Sequence, residues 1–134
     1  MRIYISGKIG EEVISEATRE KFARAERMLE QHFNTEFDMI VNPAGEAFQD
    51  AMKQAFEWRE LRRNLPDILL FDLQWLRTCD AIYMLADWEE SDGANVELDF
   101  ARATKKRIFW EREEDAQLNS EDFNNYEDVW LPIK

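Results

Sequence analysis

Apolar positions in this chain alternate between short unbroken runs and longer stretches with helical spacing. RIYIS, residues 2–6, is β-branched and aromatic and stops at Gly7, which predicts a buried strand. After the polar stretch GKIGEEVIS comes EATREKFARAERMLEQHF. Its apolar residues Ala17, Phe22, Ala25, Met28, Leu29 and Phe33 share one face, with charges opposite, and predict an amphipathic helix. FDMIVNP, from Phe37 to Pro43, predicts a second strand ended by an Asn-Pro turn. From Ala44 to Leu61 the spacing is helical again, with Phe48, Met52, Phe56 and Trp58 on one face. Asn64-Leu65-Pro66-Asp67 breaks that pattern. Pro66 suits a first helical position, so a new helix is expected to run from there to Cys79. DAIYML predicts a third strand, residues 93–105 a helix, and RIFWE a fourth strand. Beyond Arg112 the chain is acidic and polar as far as YEDVWLPIK, with room for one short helix or strand.

Strands therefore alternate with helices, and the strands are apolar throughout rather than at every second position. That combination predicts an α/β domain whose mostly parallel sheet, of four to five strands, is covered on both faces. There are no internal repeats and no low-complexity linker, and 134 residues suit one domain, 1–134. Right-handed crossovers bring the C-terminal strand ends to one edge, where such sheets bind ligands.

Composition narrows the chemistry. Hydrophobic residues make up 45% of the chain, enough for a core. A formal net charge of −12 argues against a nucleic-acid partner, which needs a basic face, and against an anionic membrane surface. It leaves room for one small phosphate held by backbone N–H groups. A single cysteine, Cys79, excludes an internal disulfide and a cysteine zinc site, and a single histidine, His32, excludes a His-rich metal site. No metal and no cofactor are expected. No apolar segment reads as a signal peptide or membrane span, so the expected compartment is the cytoplasm.

Three loops are expected to converge at the sheet edge: Ser6-Gly7-Lys8-Ile9-Gly10, Asn42-Pro43, and residues 87–93. The first has glycines for a phosphate cradle, or is a tight turn with a solvated lysine. Glu97 follows the Gly93-Ala94 handover from strand to helix. It reads either as a pocket carboxylate or as an acid placed where the helix macrodipole favours one. Asp72 sits among Leu69, Leu70, Phe71, Leu73, Trp75 and Leu76, which leaves little room for a solvated stripe. Tyr4 is core by position. Trp88 can stack on a flat ligand or close over the core. Cys79 reads as a small buried hydrophobe and His32 as a helix C-terminal residue.

YISG near the start, NP after the second strand, and DLQWLRTCDAIYMLADWEESDGANVELDFA together resemble the nucleoside 2-deoxyribosyltransferase superfamily. The nearest branches are the 2'-deoxynucleoside 5'-phosphate N-hydrolases and a set of small bacterial and phage-borne relatives. The likeness covers about Arg2 to Glu111. It implies a flavodoxin-like, Rossmann-type three-layer sandwich. It also implies roles: Glu97 as the nucleophile at C1' of deoxyribose, Asp72 as sugar ligand or proton donor to the leaving base, and Tyr4 beside them. Asp80, which closes the Asp72 motif, is structural. Ser91 corresponds to the serine that binds a 5'-phosphate in the hydrolase branch. Ser6, Gly7, Lys8, Ile9, Asn42, Trp88, Gly93 and Ala94 complete the expected substrate-binding set. Two departures stand out: Asp99 where family helices carry glycine, and Glu11 and Glu12 where the hydrolase branch has glycine and basic residues.

The expected function is thus metal-free cleavage, by hydrolysis or transfer, of the N-glycosidic bond of a nucleoside or its 5'-monophosphate. Ser91 leans the choice toward hydrolysis. The resemblance implies a homodimer. The runner-up is a non-catalytic nucleotide-binding or sensing module on the same fold. A third reading is an interaction protein that has kept only the frame.

Overall fold

Apolar runs that alternate with amphipathic helices must stack their strands in one buried sheet. The computed structural model, which describes residues 1–9, 14–34, 39–59, 64–122 and 128–133, has that arrangement. The elements run β1 (Arg2–Ser6), α1 (Glu16–Phe33), β2 (Met39–Val41), α2 (Glu46–Trp58), α3 (Leu65–Arg77), β3 (Ala81–Met84), a single 3-10 turn (Trp88–Glu90), α4 (Asp92–Ala103), β4 (Arg107–Trp110), α5 (Glu113–Asp122) and β5 (Val129–Trp130). All five strands are parallel, in the order β2-β1-β3-β4-β5. Helices cover both faces, giving a three-layer α/β sandwich of flavodoxin-like type.

Side chains alternate across a strand, so parity assigns each strand residue to a layer. Ile3 and Ile5 of β1, Ala81 and Tyr83 of β3, and Phe109 of β4 pack with Phe22, Ala25 and Leu29 of α1. Tyr4, Ile82, Met84, Ile108 and Trp110 face the opposite way, against Phe48, Met52 and Phe56 of α2, Leu76 of α3 and Leu98 and Ala101 of α4. The even positions of β1 therefore look toward α4.

Local signals set the helix ends. Ser15, Asn64 and Ser91 are the N-caps of α1, α3 and α4; their side chains accept from the N–H groups of Thr18 (3.2 Å), Asp67 (3.0 Å) and Ala94 (3.1 Å). α1 ends at Asn34 in the left-handed region, φ 55°. Asp80 ties α3 to the sheet: its Oδ2 accepts from the Arg2 N–H at 2.9 Å. Buried Lys106 donates to the Cys79 carbonyl at 2.7 Å and the Arg77 carbonyl at 3.3 Å, satisfying orphan groups where α3 ends.

Several expectations shift. Pro66 is the second residue of α3, not the first, because Asn64 takes the cap. Trp58 is 88% exposed and leaves the face shared by Phe48, Met52 and Phe56, which already fill the contact. Ala17 is exposed, and Thr18 is the buried residue of the first turn of α1. β2 spans only Met39–Val41; Phe37 and Asp38 lie outside the described residues. The acidic C-terminal stretch holds both a helix and a strand, α5 and β5. Cys79 is buried and His32 is exposed at the end of α1.

Candidate functional site

The parity of β1 brings Tyr4 and Ser6 to the same side of the sheet, and the first two turns of α4 bring Glu97 down to them. Glu97 is 5% exposed. Its Oε1 accepts from the Ser6 hydroxyl at 2.8 Å, and its Oε2 accepts from the Tyr4 hydroxyl. Both carboxylate oxygens are thus held from a single strand. Ser6 itself is buried behind the carboxylate.

A cleft of about 540 Å³ opens in front of this group. Tyr4, Gly7, Lys8 and Ile9 line it from β1 and the following loop, and Ser91, Gly93, Ala94 and Glu97 from the start of α4. Asp72 enters from α3; its Oδ1 is buried and has no hydrogen-bond partner among the described residues. An orphaned carboxyl oxygen facing a cleft is where a ligand donor or acceptor would be satisfied.

Burial sets the charges. Desolvation pushes Glu97 up to about 7, against the hydrogen bonds from Tyr4 and Ser6, which pull the other way. Asp72 is held well above the usual carboxylate range, first by burial and then by the charge of Glu97. Only Glu97 receives hydrogen bonds that favour its ionised form, so of the two carboxyls Asp72 is the one biased toward keeping the proton. Tyr4 is also pushed up, by burial and then by Asp72 and Glu97, so its phenol remains a donor. Two acids with separated proton affinities are the arrangement that lets one act as acid and the other as nucleophile or base.

The first loop is shaped by close approach. A Cβ on Gly7 would stand 2.7 Å from Leu85 Cδ1 and 2.9 Å from Leu85 Cβ, so any side chain there would force Leu85 or the loop to shift. The Lys8 N–H donates to Asp87 Oδ1 at 3.0 Å, and Lys21 bridges Asp87 Oδ2 (2.5 Å) and the Lys8 carbonyl (2.8 Å). That N–H is consequently committed to a carboxylate rather than open to a phosphate.

Three expected binding residues are off the cleft wall: Ser6, buried and spent on Glu97, and Asn42 and Trp88. Asn42 does not line the cleft. Its side chain accepts from the Ala44 N–H at 3.0 Å, an Asx turn that starts the approach to α2, and it faces a separate hollow beside β2. Its neighbour Pro43 lines the cleft instead. Trp88 packs its ring on Trp110, centroids 5.4 Å apart, and donates to Asp115 Oδ2 at 3.2 Å, so it closes the core. Asp99 is exposed and off the cleft wall. Glu11 and Glu12 lie outside the described residues.

Sequence reading missed the wall supplied by Gln49 and Met52 of α2 and by Leu65, Ile68 and Leu69 of α3. The available signal was the excess of apolar residues on α3, more than one core-facing stripe needs. Glu90 and Asp92, part of the expected edge loop 87–93 but assigned no role there, line the cleft beside Ser91.

Among the described residues no group of three or more His, Cys, Asp or Glu side chains is placed to hold a metal ion, and no helix is long and apolar enough to cross a membrane. In comparisons with known proteins, the model of a family described as a domain of unknown function (DUF4406) matches residues 1–110. No curated protein and no solved structure matches the chain.

Proposed function

We propose that this chain, which belongs to the DUF4406 family, cleaves the N-glycosidic bond of a nucleoside or its 5'-monophosphate, with Glu97 as nucleophile and Asp72 as proton donor. The observation that carries the reading is the pairing in one cleft of a buried carboxylate, gripped at both oxygens by Tyr4 and Ser6, with a buried carboxyl that has no partner. The resemblance to the nucleoside 2-deoxyribosyltransferase superfamily assigns the same residues.

Each step balances. The C1'–N bond breaks and its electron pair leaves with the base, which takes the proton of Asp72. Glu97 forms a bond to C1', capturing the oxocarbenium-like sugar as retaining glycosidases do. Water then attacks C1' and gives one proton to the Asp72 carboxylate, while the C1'–O bond to Glu97 breaks, its electron pair returns to the Glu97 carboxylate and the sugar is released; a second base that attacks in place of water gives transfer. The low-dielectric site strengthens both roles, since a neutral Asp72 is an acid near neutral pH and a desolvated Glu97 is a stronger nucleophile.

A cytoplasmic location and a homodimer belong to the same proposal; nucleic acid and membrane do not. The test is Glu97→Gln. Base release should fall below detection, while affinity for the substrate stays within about tenfold, roughly 1.4 kcal/mol. A wild-type protein that binds nucleotides without releasing base would replace this reading with the binding module.

A further inference from the structure

Building on that reading, we infer that the cleft accepts a sugar with a free 5'-hydroxyl, so that its substrate class is the uncharged nucleoside and not the 5'-monophosphate. Asp92 is the first residue of α4 and Glu97 stands five residues further along, about 7.5 Å down the helix axis. Glu90 and Asp92 both line the cleft that holds Glu97; in the inferred binding mode the anomeric carbon lies at Glu97 and the 5' end of the furanose lies toward the start of α4.

Two N–H groups that a phosphate could use are already engaged. The Ala94 N–H is capped by Ser91 Oγ, and the Lys8 N–H by Asp87. Asp92 occupies the first turn of α4, where the macrodipole would otherwise favour a ligand anion. Among the described lining residues one cation, Lys8, faces Glu90, Asp92 and Glu97. A dianionic phosphate in that field is repelled, whereas a hydroxyl can donate to either carboxylate or to Ser91. Ser91 then serves as helix cap and hydroxyl partner.

The experiment measures kcat/KM and, by calorimetry, Kd for the four common deoxynucleosides and their 5'-monophosphates, at low and high salt, on wild type and on a Glu90→Gln/Asp92→Asn variant. The nucleoside is expected to be favoured about tenfold or more. That ratio should shrink severalfold at high salt, where charges are screened, and again in the variant. Equal or better use of the monophosphate, or a ratio indifferent to salt and to both carboxylates, overturns the inference while leaving the cleavage reading intact. If no base is released but the Kd ratio favours the nucleoside, charge selection stands and the cleavage reading falls. If neither class binds, both fall.

Discussion

The phenol of Tyr4 on β1 donates to the carboxylate of Glu97 on α4, joining residues 93 positions apart. Ser6, two residues further along β1, holds the other oxygen at 2.8 Å. One strand thereby fixes the orientation of the group that the proposed chemistry depends on, because a two-residue repeat points both hydroxyls the same way.

Removing one of those donors should move the titration of Glu97. The Tyr4 hydrogen bond favours the ionised form, so Tyr4→Phe raises Glu97 further above its value of about 7. The acidic limb of the pH–rate profile for base release should shift up by about one pH unit, the scale of a hydrogen bond to a charged group. An unshifted limb would mean that Glu97 ionisation does not control the rate.

Stability should carry the same signature. Glu97 titrates near 4.5 when unperturbed and near 7 when folded, so the folded chain holds the proton more tightly. A group raised in this way contributes stability that is full below about 4.5 and lost as pH rises through about 7. Relative to Glu97→Gln, wild type should lose on the order of 2 kcal/mol of unfolding free energy between pH 5 and pH 8. Denaturant titrations of both proteins check this; parallel pH dependences would contradict it.

Asp72 separates function from stability. Its unpartnered oxygen contributes no hydrogen bond to the fold. Asp72→Asn should therefore leave thermal stability nearly unchanged, while base release falls by about 10²-fold or more with the loss of the acid. A substrate whose base leaves without protonation should be spared. Equal losses on good and poor leaving groups would remove Asp72 from the acid role.

Two backbone predictions concern the walls of the cleft. Gly7→Ala forces a methyl group against buried Leu85 and should cost about 1–3 kcal/mol. Ser91→Ala removes the α4 cap and should cost about 1 kcal/mol, whereas Ser91→Asp, a good cap, should not. Chemical denaturation of the three variants distinguishes these outcomes.

Periodicity alone located most of the scaffold. The bounds of β1 and α1 match their apolar pattern residue for residue, and the run of fully apolar strands announced a parallel sheet. Asp72 was visible as a carboxylate with too many apolar neighbours, and Glu97 as an acid near the start of a helix. Their convergence depends on strand order and parity, which no local window contains. Asn42 and Trp88 were misplaced for a related reason. Asn42 is spent on its own turn at Ala44, and Trp88 on Trp110 of β4 and Asp115 of α5, both distant in sequence. α5 lies in a stretch too polar for periodicity to resolve. The cleft wall from α2 and α3 was hidden because apolar lining and apolar core look the same in one dimension.

The central claim is that this cleft breaks a base–sugar bond. Chromatography of deoxynucleosides and their 5'-monophosphates incubated with wild type and with Glu97→Gln tests it most directly. Free base should accumulate with wild type, accompanied by an equal amount of free sugar or of sugar moved to a second base, and should be absent with the variant. Intact substrates across the whole panel, or base release that survives Glu97→Gln, would contradict it.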